Sequence, residues 1–169
     1  CFDSRKGQWA NNLLDQFGIP TSLFQQVSEP GHNIGSLRTD IAADTGLRDV
    51  QIVLPGSHDT ASAVAAVPAL EPPSSRPDWC YISLGTWALV GAELDRPLVT
   101  PECLAHNFTN EGGVGGTTRL LKNLCGLWIV QQCRASWQRS GKNWDWDQLT
   151  ALAAESAPLQ TIIDSSHAS

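Results

Sequence analysis

The 169-residue chain is 41% hydrophobic and carries a net charge of −6, so it can bury a core as one domain or as parts of two. Nucleic-acid binding needs clustered Lys and Arg, and only 11 are spread along this acidic chain, so we expect no nucleic-acid partner. No apolar stretch approaches the roughly 20 residues that span a bilayer, and no secretory signal is present, so we expect a cytoplasmic protein without membrane contact. A small molecule is the favoured ligand.

The five cysteines include no C-x-x-C pair and are odd in number. This pattern predicts reduced, mostly buried thiols. His32, His106 and His167 lack partners at ligand spacing, so no residue is predicted to bind a metal directly. Because the chain contains no methionine and begins at Cys1, we expect it to be a piece of a longer protein.

The first elements are predicted to be short. Apolar residues at helical spacing predict a helix over residues 9–17. Residues 29–36 indicate turns and an extended piece, and residues 40–47 a short helix that Gly46 ends. The apolar run at residues 50–54 predicts a buried strand.

A tight turn and a second short helix follow this strand. The turn ends in His58, Asp59 and Thr60, and the small apolar residues 61–67 predict a buried helix. Residues 68–78 contain four prolines and no periodicity, which is typical of a hinge. The predicted domain organisation is the end of a first domain (1–67), this hinge (68–78) and the start of a second domain (79–169).

Beyond the hinge, the pattern changes to strands and then to helices. Two β-rich runs separated by Gly85 and Thr86 predict a hairpin. The predicted elements are strands at 79–84 and 87–94, a loop at 95–104, a strand at 107–109, a long helix at 119–137 and a second helix from Asp145. The expected fold class is therefore α/β.

The strongest candidate for chemistry is His58-Asp59-Thr60, where a strand feeds a helix start. A helix N-terminus stabilises an ionised carboxylate, so Asp59 could accept a proton or a hydrogen bond. The structural alternative is that Ser57 or Asp59 simply caps the helix, and on this triplet alone the cap is favoured.

Three further motifs are weaker on their own. Gly85 and Thr86 could bring an amide and a hydroxyl to an anion, but such a turn needs no ligand. Lys122 and Asn123 could equally be solvated helix residues. Asp44-Thr45-Gly46 matches the tripeptide of aspartic proteases, but its flanks suit a helix that ends at Gly46, so no protease activity is expected.

The order of these motifs carries more information than any one of them. The four blocks are residues 57–64, 83–91, 109–113 and 121–128, and together they resemble the FGGY carbohydrate-kinase family over about residues 31–137. The resemblance implies an α/β fold of the actin-like, RNase-H-like kind, with two domains and with ATP and sugar between them. It points most closely to members that phosphorylate the 1-hydroxyl of L-rhamnulose.

The resemblance also implies roles for individual residues. Asp59 is the implied proton acceptor, and His58, Thr60 and Asn123 are implied sugar contacts together with Asp59. Thr86 is an implied contact of the ATP phosphates and Gln131 an implied nucleotide contact. ATP and Mg²⁺ are the implied cofactors.

The family's first phosphate loop and its adenosine-binding segment have no counterpart in these residues. The resemblance therefore implies that the chain by itself is inactive and that the remaining parts of the same kinase chain are its partners. Three alternatives stay open: a kinase for another ketose such as L-fuculose or xylulose, a sugar-binding fragment without turnover, and a scaffold piece.

Overall fold

The structure, a computed structural model, describes residues 1–164. His167 and the last residues of the predicted second domain lie outside the described residues. The chain forms two compact units. The first unit contains residues 1–81 and 91–122, and the second contains residues 82–90 and the chain from residue 123 onward.

The first 67 residues form short elements. In chain order the strands and α-helices are β1 (Phe2–Asp3), β2 (Gln8–Trp9), α1 (Asn11–Gln16), β3 (Asn33–Ser36), α2 (Thr39–Thr45), β4 (Gln51–Val53) and α3 (Asp59–Ala65). A 3₁₀ helix (Thr21–Leu23) lies between α1 and β3. β1 pairs antiparallel with β2, and β3 pairs antiparallel with β4. The described residues 68–78 form no helix or strand, and the domain boundary placed there stays a prediction.

The remaining chain builds a larger sheet followed by helices. Its elements are β5 (Tyr81–Leu84), β6 (Trp87–Leu94), α4 (Pro101–Ala105), β7 (Thr109–Gly112), β8 (Thr118–Cys125), α5 (Trp128–Arg139) and α6 (Trp146–Glu155). The strand order is β5-β6-β8-β7. β7 and β8 are antiparallel, with Thr109 opposite Leu121 and Gly112 opposite Thr118. The mixture of helices and strands confirms the α/β class.

The predicted first helix is confirmed over Asn11–Gln16, but the prediction was wrong at Trp9. Trp9 lies in β2 opposite Phe2, and its ring packs against Phe2 and Phe24 at centroid distances of 5.6 and 4.8 Å. Its indole N–H donates to the carbonyl oxygen of Gln25 at 2.8 Å. These tertiary contacts override the helical spacing.

The predicted helix that ends at Gly46 is confirmed, and Gly46 has a φ of 73°, the left-handed conformation that glycine adopts without strain. The predicted strand after it is also confirmed, but its burial was wrong because Val53 is 53% exposed. A three-residue strand with one partner strand covers little of its own side-chain surface.

The predicted long helix over residues 119–137 was wrong in its first half. Thr118–Cys125 is a strand between β6 and β7, with β7 paired to residues 118–121, and helix α5 begins only at Trp128. The four-stranded hydrogen bonding outweighs the apolar spacing that favoured a helix.

Two smaller errors precede that strand. Residues 95–104 were predicted as loop but contain the start of α4, because Thr100 accepts a hydrogen bond from the Cys103 amide at 3.2 Å and Pro101 occupies the first turn. The strand predicted at 107–109 begins at Thr109.

The two units differ in how much they bury. The first unit buries Leu14, Ala61, Val64, Tyr81, Leu94 and Leu121. In the second unit, Ala88 is buried, whereas Trp87, Ile82 and Trp128 are 65%, 67% and 47% exposed. Among residues 1–164, six of the seven buried apolar side chains thus belong to the first unit, whereas exposed large apolar side chains occur in both units.

All five cysteines are in the described residues and are unpaired. Cys1 and Cys80 are exposed and the other three are half-buried, so the expectation of mostly buried thiols was wrong. Among residues 1–164, no helix is long and apolar enough to cross a membrane.

Candidate functional site

Asp59 is the first residue of α3, and the strand-to-helix turn presents its carboxylate to solvent. Its side chain is 94% exposed. Oδ1 accepts hydrogen bonds from the backbone amide of Thr60 at 2.7 Å and from the Thr60 hydroxyl at 3.3 Å. These contacts all involve Oδ1, and within residues 1–164 no hydrogen bond involves Oδ2.

His58 is the N-cap of α3. Its Nδ1 lies 3.2 Å from the amide nitrogen of Thr60 and 3.0 Å from Oδ1 of Asp59. An unprotonated Nδ1 accepts from the amide, whereas a protonated Nδ1 donates to the carboxylate. His58 can therefore act as a helix cap or as a hydrogen-bond partner of Asp59, depending on its tautomer.

The turn before α3 packs closely against the first turns of that helix because its residues are small. A side chain at Gly56 would come within 3.0 Å of the Ser62 amide nitrogen and 3.1 Å of the Ala61 side chain. The Ser62 hydroxyl donates to the Gly56 carbonyl oxygen at 3.3 Å, and Thr60 is only 6% exposed. The turn is therefore anchored by local contacts, with Asp59 outward and Thr60 inward.

A cleft of about 580 Å³ lies within the first unit, and His58 is part of its lining. Trp9 and Val27 contribute apolar surface, and Glu111 and Arg119 contribute charge. Such a mixture suits a small polar ligand with some apolar surface.

Glu111 and Arg119 form an ion pair for which the sequence predicted no function. Nη2 of Arg119 lies 2.7 Å from Oε2 of Glu111, and Arg119 is only 1% exposed. Burial raises the pKa of Tyr81, and the nearby guanidinium of Arg119 opposes this shift. Within residues 1–164, the Tyr81 hydroxyl and both Nε and Nη1 of Arg119 are buried without a hydrogen-bond partner. The strand pairing that brings Glu111 opposite Arg119 was not visible in the sequence.

Thr86 lies in the turn of the β5–β6 hairpin, in the second unit. The Gly85 amide donates to the carbonyl oxygen of Trp87 at 2.8 Å, which closes the turn. Thr86 is exposed, and its Oγ1 accepts a hydrogen bond from Nε2 of Gln131 at 3.2 Å. The structure therefore brings together the two residues expected to meet the nucleotide.

Asn123 was expected on a helix but lies near the end of β8, where it is exposed. It belongs to the second unit, as do Thr86 and Gln131, whereas His58, Asp59 and Thr60 belong to the first. Asp44, of the protease-like tripeptide, lies in helix α2 with no preceding apolar strand.

Among residues 1–164, no group of three or more His, Cys, Asp or Glu side chains is arranged to hold a metal ion. Mg²⁺ is commonly bound through one or two carboxylates together with substrate phosphates and water.

Comparison with known proteins places these motifs in a family. Residues 80–167 match the model of the C-terminal domain of the FGGY family of carbohydrate kinases, which is more than half of the 169 residues. The match confirms the expected α/β fold of actin-like, RNase-H-like sugar kinases.

Several curated proteins named rhamnulokinase are similar to most of the chain. The one from Bacteroides thetaiotaomicron is 41% identical over 152 residues, which is 90% of this chain and 30% of that protein. The one from Bacillus subtilis is 35% identical over 152 residues, with the same coverages of 90% and 30%. The one from Pectobacterium carotovorum is 44% identical over 127 residues, 75% of this chain and 24% of that protein. The chain thus spans less than a third of the length of these relatives.

Proposed function

Because the chain belongs to the FGGY family of carbohydrate kinases, we propose that it is part of an ATP-dependent kinase that phosphorylates the 1-hydroxyl of L-rhamnulose. The similarity to proteins named rhamnulokinase over 90% of the chain is the observation that carries this proposal. A cytoplasmic location and the remaining parts of a longer kinase chain as partners belong to the same proposal.

In this proposal, Asp59 accepts the proton of the sugar hydroxyl. Its exposed carboxylate is held through Oδ1 by the Thr60 amide, which leaves Oδ2 to meet the hydroxyl. Phosphoryl transfer proceeds through a loose transition state, so the base removes the proton late and must chiefly be well positioned. His58 and Thr60 flank the carboxylate, and we propose that they contact the sugar with it.

We propose that Thr86 contacts the phosphates of ATP, that Gln131 belongs to the nucleotide site, and that Asn123 contacts the sugar. The exposed hydroxyl of Thr86 on a tight turn supports the phosphate contact, because a hydroxyl and nearby amides can donate to phosphate oxygens. The exposure of Asn123 leaves its amide open to a ligand. Mg²⁺ enters as the ion that accompanies ATP.

The domain organisation is a proposal as well. The family model begins at residue 80, close to the expected start of the second domain at residue 79. The irregular residues 68–78, with Leu70 98% exposed, would then form the hinge between the two kinase domains.

The test is a coupled ADP-release assay on the full-length protein that contains this chain, with ATP and Mg²⁺ and with L-rhamnulose, L-fuculose and D-xylulose in parallel. We expect the highest kcat/KM with L-rhamnulose and no turnover without Mg²⁺. A higher kcat/KM with another ketose would reassign the substrate, and sugar binding without ADP release would favour the non-catalytic alternative.

A further inference from the structure

The carboxylate of Glu111 lies in the wall of the cleft of about 580 Å³, and the fold uses only part of it. Its Oε2 accepts a hydrogen bond from Nη2 of Arg119 at 2.7 Å, and its side chain is 33% exposed. Within residues 1–164, no hydrogen bond involves Oε1. Each oxygen of a carboxylate can accept hydrogen bonds, so Oε1 is free to accept one from a ligand in the cleft.

Arg119 holds this carboxylate in one orientation. Arg119 is 1% exposed, and in the described part of the chain its Nε and Nη1 are buried without a hydrogen-bond partner. A buried guanidinium is costly without its counter-ion, so the ion pair restrains the Glu111 side chain. The two residues also lie opposite each other on the paired strands β7 and β8. A ligand-binding group on such strands is positioned more precisely than one on a loop.

The same cleft reaches the proposed base. His58 belongs to the lining, and its Nδ1 lies 3.0 Å from Oδ1 of Asp59. A ketose with its 1-hydroxyl at Asp59 would turn its other hydroxyls toward the rest of the lining, which includes Glu111. Trp9 and Val27 add apolar surface there, and the methyl group of a 6-deoxyketose is favourably buried against such surface.

We propose that Glu111 is a further sugar-binding residue, whose Oε1 accepts a hydrogen bond from the ketose hydroxyl at C3 or C4, remote from the reacting 1-hydroxyl. The inference rests on the proposed kinase function. A hydrogen bond from a hydroxyl to an ionised carboxylate is among the stronger ones. A site that pairs with a substrate hydroxyl also rejects analogues that lack it. Glu111 therefore contributes to both the affinity and the selectivity for the sugar.

Calorimetry and steady-state kinetics on the full-length protein that contains this chain test the inference. Glu111→Gln keeps the size of the side chain and an oxygen for Arg119, but it removes the charge. It should raise the Kd and the KM for L-rhamnulose by ~10-fold, the usual effect of losing a charge-assisted hydrogen bond. The KM for ATP should stay near that of the wild type, because the cleft belongs to the sugar.

Glu93→Gln is the matched control. Glu93 is a half-buried carboxylate on β6 of the same sheet, and its Oε1 accepts from the Thr117 hydroxyl at 2.7 Å. Among the described residues, Glu93 is not part of the cleft lining. The control should therefore leave the Kd for the sugar unchanged. An unchanged Kd in Glu111→Gln, or equal shifts in the two variants, would show that Glu111 serves only the fold and would overturn the inference.

Analogues of L-rhamnulose that lack the hydroxyl at C3 or at C4 locate the contact. In the wild type, removing the contacted hydroxyl should raise the Kd by ~10-fold. In Glu111→Gln the same removal should have little effect, because the charged acceptor is already gone. If both analogues lose as much affinity for Glu111→Gln as for the wild type, the proposed contact is wrong.

Measuring binding and turnover separately distinguishes this inference from the proposed function. A full-length protein that binds L-rhamnulose with this dependence on Glu111 but releases no ADP would refute the kinase function and support the sugar contact. Sugar-dependent ADP release with a sugar affinity that is independent of Glu111 would overturn this inference alone. A protein that binds no ketose would overturn both.

Discussion

The two turns that carry the candidate residues Asp59 and Thr86 are held in different ways. The turn at Asp59 is fixed by contacts within six residues, among them the bonds from the Thr60 amide and from Ser62 to Gly56. The turn at Thr86 is fixed by residues about 40 positions away, at the start of α5. The first turn is thus a product of local sequence, and the second exists only where a helix docks on a hairpin.

This difference predicts different vulnerabilities. A local cap survives changes elsewhere in the fold, because its donors and acceptors lie within one turn of helix. The turn at Thr86 depends on the β5–β6 hairpin and on α5, because hydrogen bonds between these two elements hold it. Substitutions near Asp59 should therefore affect chemistry with little effect on structure, whereas substitutions around Thr86 should affect both.

The largest expected effect is that of Asp59→Asn in the full-length kinase. The amide keeps the shape of the side chain and loses the acceptor charge, so kcat should fall by ~10³-fold, within the range of general-base catalysis. The sugar should still bind, as measured by calorimetry. Asp44→Asn, which changes another exposed carboxylate of the same unit, is the matched control and should have near-normal kcat. Near-normal turnover of Asp59→Asn would refute the catalytic role.

The next effect concerns the interior of the first unit. Glu111→Ala leaves the guanidinium of Arg119, which is 1% exposed, without its ionic partner. Arg119 is buried but Glu111 is 33% exposed, so the loss should cost about 1–3 kcal/mol, and the Tm should fall and amide hydrogen exchange in β7 and β8 should accelerate. Glu102→Ala, at an exposed residue of α4, is the control. Equal Tm values of the two variants would mean that the Glu111–Arg119 ion pair contributes little to the stability of the fold.

Gly126→Ala tests the docked turn directly. Its added Cβ would meet the Gly85 backbone at 2.6 Å, and relieving such overpacking costs about 1–3 kcal/mol. We expect a lower Tm and a raised KM for ATP. Gly112→Ala is the matched control, since no atom lies within 4 Å of a Cβ there. A fully stable Gly126→Ala variant with a normal KM for ATP would show that the docking tolerates displacement.

The smallest effect at neutral pH involves Tyr81, whose pKa burial raises above 10.0. The folded state therefore holds the phenol proton more tightly than the unfolded state does. Its contribution to stability is complete below pH 10 and is lost as the pH rises through the higher folded value. Tyr81 is the only tyrosine of the sequence, so tyrosinate absorbance of this chain reports it alone.

In denaturant, Tyr81 should titrate near its ordinary pKa, and in the folded chain at a higher pH. Tyr81→Phe should weaken the loss of stability above pH 10. Identical titrations in the folded and denatured chain would contradict the burial of this side chain.

Local features of the fold could be predicted from the sequence. The helix that ends at Gly46, the hairpin at Gly85 and Thr86, and the helix that begins after Asp145 all carry signals within a few residues. Caps and turns depend on backbone groups of neighbouring residues, so short sequence patterns determine them. The exposed carboxylate of Asp59 at a helix start is a feature of the same kind.

Only the tertiary structure decided the rest. Residues 118–125 have apolar spacing that fits a helix, but their pairing with β6 and β7 makes them a strand, and β7 places Glu111 opposite Arg119. The bond between Gln131 and Thr86 likewise required α5 to dock on the hairpin. Strand pairing and docking depend on partners distant in sequence, and no local pattern in the chain encodes which partners will meet.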